Sequence, residues 1–308
     1  MENCNEKKYF IIAGTNKAAT TSFYEYLAAH PQICSSYVKQ TFFFLDKNWQ
    51  EELKLYSLYD YEKGVQQYNN FFRDCNEDQF RLEASPEYLY APGTPARLYS
   101  FYSEKKGNVI FILRNPVTRF VSLFYFGKQQ GIIPSQYTFS EFIKANQVNP
   151  EKKNTSLIAL ETGFYSKYLE KYVELFGKEN IKVYFFEDLM TNPLSLMKRV
   201  SEEIGIDANF YNSFKFQTHN KTVKLRSRFF ARLYNVPRAV FIKTGFRSKF
   251  GFAIAQALKK TITPLYRKFN TAPLEKQTVD PNDINYVEEI YKNEKYSLEK
   301  LLGIHVPW

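Results

Sequence analysis

The chain has 308 residues, 44% of them hydrophobic, and a formal net charge of +10, which makes a folded globular protein with a substantial core the expectation. Its three cysteines (Cys4, Cys34, Cys75) form no CxxC pair and are odd in number, and its three histidines (His30, His219, His305) lie far apart in sequence. A reduced, cytoplasmic protein without structural zinc is therefore expected. The start, "MENCNEKK", lacks the basic-then-apolar order of a signal peptide, and no apolar run approaches the roughly 20 residues needed to cross a bilayer, so stable membrane insertion is not expected.

In chain order, "KYFIIA" (8–13) reads as a buried strand bounded by Gly14, and residues 20–29 read as a helix with Phe23, Tyr26 and Leu27 on one face and Pro31 just beyond its end. "NVIFIL" (108–113) is a second strand, and "PVTRFVSLFYF" (116–126) a helix opened by proline at its first position. "IKVYFF" (181–186) is a third strand between helices at 164–176 and 193–204. The apolar spacing over 281–302 predicts one more helix, ending at Gly303. Strands alternating with helices predict an α/β fold, a single domain over 1–308 with a central parallel sheet flanked by helices. The charge is uneven: no acidic residue stands between Asp207 and Glu275, where fourteen Lys or Arg occur. Residues 215–270 are expected to form a basic helical insertion or lid within the domain.

"GTNKAATTS" (14–22) joins the first strand to its helix. A helix N-terminus has backbone N–H groups without intrahelical partners and roughly half a positive charge from the dipole. Small residues let the backbone approach an anion, and Lys17 adds a full charge. The stretch is not GxxxxGK[ST], because Lys17 falls three residues after Gly14 and two alanines precede Thr20 and Thr21. A solvated lysine on an ordinary turn is the plainer alternative. At the end of the second strand, Arg114 and Ser122 offer a planar fork and a hydroxyl suited to a phosphate, or else a surface ion-pair partner and a helix filler. Two phosphate-type sites on adjacent strand–helix turns suggest a nucleotide with phosphate groups at both ends.

Here the sequence resembles the sulfotransferases that use 3′-phosphoadenylyl sulfate (PAPS), in their bacterial and carbohydrate-type branch. "FIIAGTNKAATTSFYEYLAAHPQI" resembles their 5′-phosphosulfate loop and "VIFILRNPVTRFVSLFY" their RxPxxRxxS signature for the 3′-phosphate. "FRLEASPEYLY" (80–90), "ETGFYSKYLEKYVELFGKENIKVYFFEDLMTNP" (161–193) and the closing "SLEKLLGIHVPW" are similar to further family blocks in the same order. The resemblance implies a P-loop-kinase-like architecture, PAPS as donor, 3′,5′-bisphosphoadenosine (PAP) as product, and no metal. It implies Lys17 as the central catalytic residue, stabilising charge on the bridging oxygen. The amides of Ala18, Ala19, Thr20, Thr21 and Ser22, with the hydroxyls of Thr20 and Thr21, would hold the 5′ end. Arg114 and Ser122 would hold the 3′-phosphate, Arg226 and less directly Lys224 would add to it from a closing loop (218–228), and Tyr165 would line the nucleotide pocket or belong to the core.

The chain departs from the family in two places. Ala19 stands where glycine is frequent, a mild change unless that residue needs positive φ. "KQTFFF" (39–44) resembles KExxFF, whose glutamate acts as general base in some carbohydrate-type members, but this chain has Gln40, which cannot accept a proton at neutral pH. Gln40 is then a substrate contact, and Glu83 is the candidate base, with Glu87 the other matched carboxylate and His30 and His219 weaker alternatives. The expected acceptor is a hydroxyl or nitrogen of a soluble small molecule such as a natural product. A polysaccharide acceptor is the alternative. A nucleotide kinase would want a true Walker lysine and a magnesium-holding Asp. A nucleic-acid binder would want a recognised motif, and the sequence offers neither.

Overall fold

The computed structural model of the chain describes residues 8–53, 55, 57–103, 106–134, 136–148, 158–217, 223–225, 269, 271–273 and 278–308. By compactness the chain divides into two units, one of residues 1–124, 136–220 and 279–308, the other of residues 125–135 and 221–278.

The first unit is built on a five-stranded sheet: β1 (Lys8–Gly14), β2 (Ile33–Ser35), β3 (Phe80–Ala84), β4 (Lys106–Leu113) and β5 (Ile181–Phe185). Every pairing is parallel, in the order β2-β3-β1-β4-β5. The centres of β1 and β4 are continuous apolar runs because both faces of the sheet are covered there. Along β1, Phe10 and Ile12 face a core shared with Phe23 and Leu27 of α1 (Thr20–Ala28) and with Leu196, Met197 and Val200 of α8 (Pro193–Ile204). Tyr9, Ile11 and Ala13 face the opposite core, with Phe101 of α3 (Thr94–Ser103), Leu169 and Tyr172 of α6 (Tyr165–Phe176), and Leu298 near the C-terminus. That second core holds a cluster of rings in which the pairs Tyr9–Phe101, Phe44–Tyr68 and Tyr68–Phe101 meet edge-on.

The α/β class, the parallel sheet and the three strands at 8–13, 108–113 and 181–186 are borne out to within two residues at each end. Strands β2 and β3 went unpredicted. The single helix expected over 281–302 is corrected to two, Pro281–Tyr291 and Glu294–Leu302. The break brings Glu294 beneath the first turn of α6, where its carboxylate accepts from Ser166 N (2.7 Å) and Ser166 Oγ (2.9 Å). The expectation of unpaired cysteines is also corrected. Cys34 at the middle of β2 and Cys75 form a disulfide with a Cα–Cα distance of 5.6 Å, closing a 41-residue separation.

In the second unit the described residues include the end of helix α4 (Pro116–Gln130) and an antiparallel pair, Val223–Leu225 with Thr271–Pro273, in which Lys224 is opposite Ala272. Arg226, His219 and most of the basic stretch 215–270 lie outside the described residues. No described helix is long and apolar enough to cross a membrane.

Candidate active site

The strand order reverses around β1, and in open parallel sheets ligands bind in the crevice at the carboxyl ends of the strands beside such a point. The turn after β1 lies there. Gly14 is needed for close approach: a Cβ at that position would meet Leu89 Cβ at 2.8 Å and Phe111 Cδ1 at 3.2 Å. Two non-glycine residues in the turn have left-handed backbone, Lys17 at φ 65° and Ala19 at φ 60°. Ala19 sits at the N-cap of α1 with ψ 26° and no side-chain cap, so the position does require positive φ. The Ala18 side chain is fully buried, Thr20 is 6% exposed and Ser22 is 1% exposed. The first N–H groups of α1 have no carbonyl one turn back within the helix to satisfy them.

Unusual backbone persists only where its surroundings over-determine it, and here the support is Arg119. This residue of α4 is fully buried. Its Nε donates to Asn16 O (3.0 Å), and its Nη2 donates to Asn16 Oδ1 (2.6 Å) and to Tyr90 OH (2.8 Å). Its Nη1 donates to Thr162 O (3.2 Å). Tyr90 OH in turn hydrogen-bonds the hydroxyl of Thr15. Every arm of the guanidinium thus fixes the turn or the residues that hold it. In the sequence Arg119 is the second arginine of "RNPVTR", and nothing in that stretch marks it as the buried one of the two.

The structure brings Lys17 and Arg114 together from adjacent strand ends. Arg114 Nη1 donates to Lys17 O (3.2 Å), its Nε donates to Thr118 Oγ1 (3.0 Å), and its guanidinium lies 4.3 Å from the centre of the Phe186 ring. Burial, and then the nearby Arg114 charge, push the Lys17 ammonium down to about 8. Arg114, which also feels the Glu187 carboxylate, disfavours the Lys17 ammonium, and an anion bound beside the two cations would offset that cost. With the N-terminus of α1 alongside, the donor set suits a phosphate or sulfate and fits a nucleotide bearing such groups at both ends. Ser122, half-buried on α4, follows Arg114 by two helical turns.

The other candidate residues take the following positions. Tyr165 takes the core alternative: it is fully buried and donates its hydroxyl to Arg114 O (2.8 Å). The Thr21 hydroxyl accepts from Lys39 Nζ (2.6 Å). His30 is 1% exposed, with Nε2 against Asp207 O (2.9 Å) and Nδ1 accepting from Gln32 N (3.2 Å), a structural tie. Glu83 is fully buried, and its Oε2 accepts from Thr41 Oγ1 (2.6 Å) and Ser85 Oγ (3.3 Å). Burial lifts its carboxyl to about 7 despite the Thr41 hydrogen bond. In this arrangement an acceptor has no access to it. Gln40 is exposed at the tip of the loop after β2. Glu87, in the short turn Pro86–Leu89 after β3, is half-buried, and burial lifts it to about 7 as well, partly offset by the charge of Lys39.

Comparison with known proteins fits this geometry. The sulfotransferase-domain family model matches residues 7–235, and the chain belongs to that family. The chain is 25% identical over 222 residues to human bifunctional heparan sulfate N-deacetylase/N-sulfotransferase 2, covering 70% of the chain and 24% of that protein. It is 28% identical over 197 residues to human heparan sulfate glucosamine 3-O-sulfotransferase 5, covering 64% of the chain and 53% of that protein. The chain therefore spans about a quarter to a half of these curated relatives. The sulfotransferase from Alicyclobacillus acidocaldarius has the same fold, with a TM-score of 0.67, 19% identity and 97% coverage of both chains.

Proposed function

We propose that the chain moves a sulfuryl group from PAPS to a hydroxyl or nitrogen of its acceptor and releases PAP. The pairing of Lys17 and Arg114 at neighbouring strand ends, beside the N-terminus of α1, carries this reading. The amides from Ala18 to Ser22 and the Thr20 hydroxyl hold the 5′ end of the donor, and Arg114 and Ser122 hold the 3′-phosphate. Arg226, outside the described residues, stays a candidate for the same phosphate, and the basic segment 215–270 is kept as an insertion within one sulfotransferase domain over 1–308. Transfer is in line, and negative charge grows on the oxygen that leaves with PAP. Lys17, fixed by the Arg119 network, meets that charge without reorganising. Gln40 lies on the acceptor side and hydrogen-bonds the incoming molecule.

The acceptor we favour is a small molecule carrying a hydroxyl or amine. A sugar amine or hydroxyl is the second reading, favoured by similarity to two enzymes whose names specify heparan sulfate. The cytoplasmic placement loses its main ground with the Cys34–Cys75 disulfide, which belongs with an oxidising compartment. Incubation with labelled PAPS and parallel sets of small amines, phenols and desulfated heparan sulfate tests the assignment. Label on a small acceptor supports the first reading and label on polysaccharide alone the second. PAP unable to bind, with no label moved, overturns both.

A further inference from the structure

Resting on the sulfotransferase reading, we propose that Glu87 is the catalytic residue that takes the acceptor's proton, and that Lys39 is its positioning residue. Gln40 leaves the family's usual base position without a carboxylate, and Glu83 is sealed in the core. Glu87 combines access with placement. Its short turn is locked to the donor loop at three points. Ser85 N donates to Ile12 O (3.0 Å), Leu89 packs against Gly14, and Tyr90 OH meets the Thr15 hydroxyl. The carboxylate therefore sits at the end of β3, next to the end of β1 that presents Lys17.

Its Oε2 is buried with no hydrogen-bond donor, although the residue as a whole is half-exposed. An orphaned acceptor atom is costly, and the O–H or N–H of a bound acceptor would relieve that cost. The positive charge of Lys39 acts on Glu87, and Lys39 Nζ donates to Thr21 Oγ1 on the first turn of α1, so one cation lies near both the carboxylate and the donor helix. Among the described residues the Tyr90 hydroxyl also interacts with Glu87, and it is already bonded to Thr15 and Arg119.

The step balances as follows. The acceptor oxygen or nitrogen forms its bond to sulfur as the bond from sulfur to the bridging oxygen breaks. The electron pair leaves with PAP, where Lys17 meets it. The acceptor's proton passes to Glu87, which gives it to solvent after product release.

The test follows PAP release from PAPS between pH 5 and 9, with water alone and with glucosamine, p-nitrophenol and desulfated heparan sulfate as acceptors. Wild-type enzyme is expected to speed up as Glu87 ionises through about pH 7 and to slow as Lys17 loses its proton through about pH 8. Glu87→Gln is expected to lose about 10²-fold or more in rate and to lose the rise near pH 7, while the thermal shift produced by PAP stays at the wild-type value. Lys39→Met is expected to move that rise to higher pH, which a purely structural lysine would not do. Wild-type rate and pH profile in Glu87→Gln, with PAP still stabilising the fold, overturn this proposal alone. Failure of PAP to stabilise wild-type protein, or no PAP release from PAPS with any acceptor, counts against the sulfotransferase reading itself.

Discussion

The carboxyl ends of β1 and β4 carry cations, whereas the carboxyl end of β3 carries carboxylates. On the cationic side, Lys17 and Arg114 are held by a backbone that Arg119, Tyr90, Thr15 and Tyr165 fix from beneath. On the carboxylate side, Glu83 is fully buried and bonded to Thr41, while Glu87 is half-buried and under the charge of Lys39. On the proposed function the difference separates two tasks: a rigid cation set would recognise an anionic donor that never changes, while proton acceptance needs a group whose ionisation is poised near neutrality.

The comparison is broken most severely at Lys17. Lys17→Ala is expected to lower transfer by at least about 10²–10³-fold while leaving the circular dichroism spectrum and melting temperature near wild type. An active Lys17→Ala enzyme would remove this ammonium from the mechanism. Next in size is Arg119→Met, which keeps much of the volume but leaves Asn16 O, Tyr90 OH and Thr162 O without their donor. A loss of about 2–4 kcal/mol in unfolding free energy is expected from denaturant titration, together with weaker PAP binding as the turn loosens. Wild-type stability in this variant would show that the turn is held by other means.

The smallest effect sharpens the carboxylate side. Burial lifts Glu83 from an ordinary value of 4.5 to about 7. Because the folded value exceeds the unfolded one, the protonated group favours folding fully below about pH 4.5, and that contribution fades as pH rises through about 7. Glu83→Gln is expected to flatten this part of the melting-temperature profile between pH 4.5 and 7.5. An unchanged slope would contradict the buried carboxyl as its source.

What the sequence made legible divides along the same line. β1 and β4 each hold a continuous apolar stretch, residues 10–13 and 109–113, followed by a glycine turn and an arginine, so their position and chemistry could be read from periodicity and residue type. β3, "FRLEA", carries Arg81 and Glu83, which local pattern assigns to solvent. They are buried because Glu83 is bonded to a loop 42 residues away and Arg81 lies over the Tyr9 ring. No window along the chain contains those partners. The disulfide was hidden for the same reason, since the proximity of Cys34 and Cys75 is created by β2 joining the sheet edge. Ala19 marks the opposite case. The sequence posed the question of its φ, and the backbone answered with a left-handed residue that glycine would occupy at less cost.

The central claim is that adjacent strand ends grip the two ends of one nucleotide, and calorimetric titration tests it most directly. PAP and adenosine 5′-monophosphate, which differ only in the 3′-phosphate, are titrated into wild-type protein and into Arg114→Ala. PAP is predicted to bind wild-type protein at least about 10-fold more tightly than the monophosphate, consistent with roughly 1.5–3 kcal/mol for a charged hydrogen-bonded contact. Arg114→Ala is predicted to erase most of that difference. Equal affinities for the two nucleotides in wild-type protein, or a preference untouched by Arg114→Ala, would contradict the account.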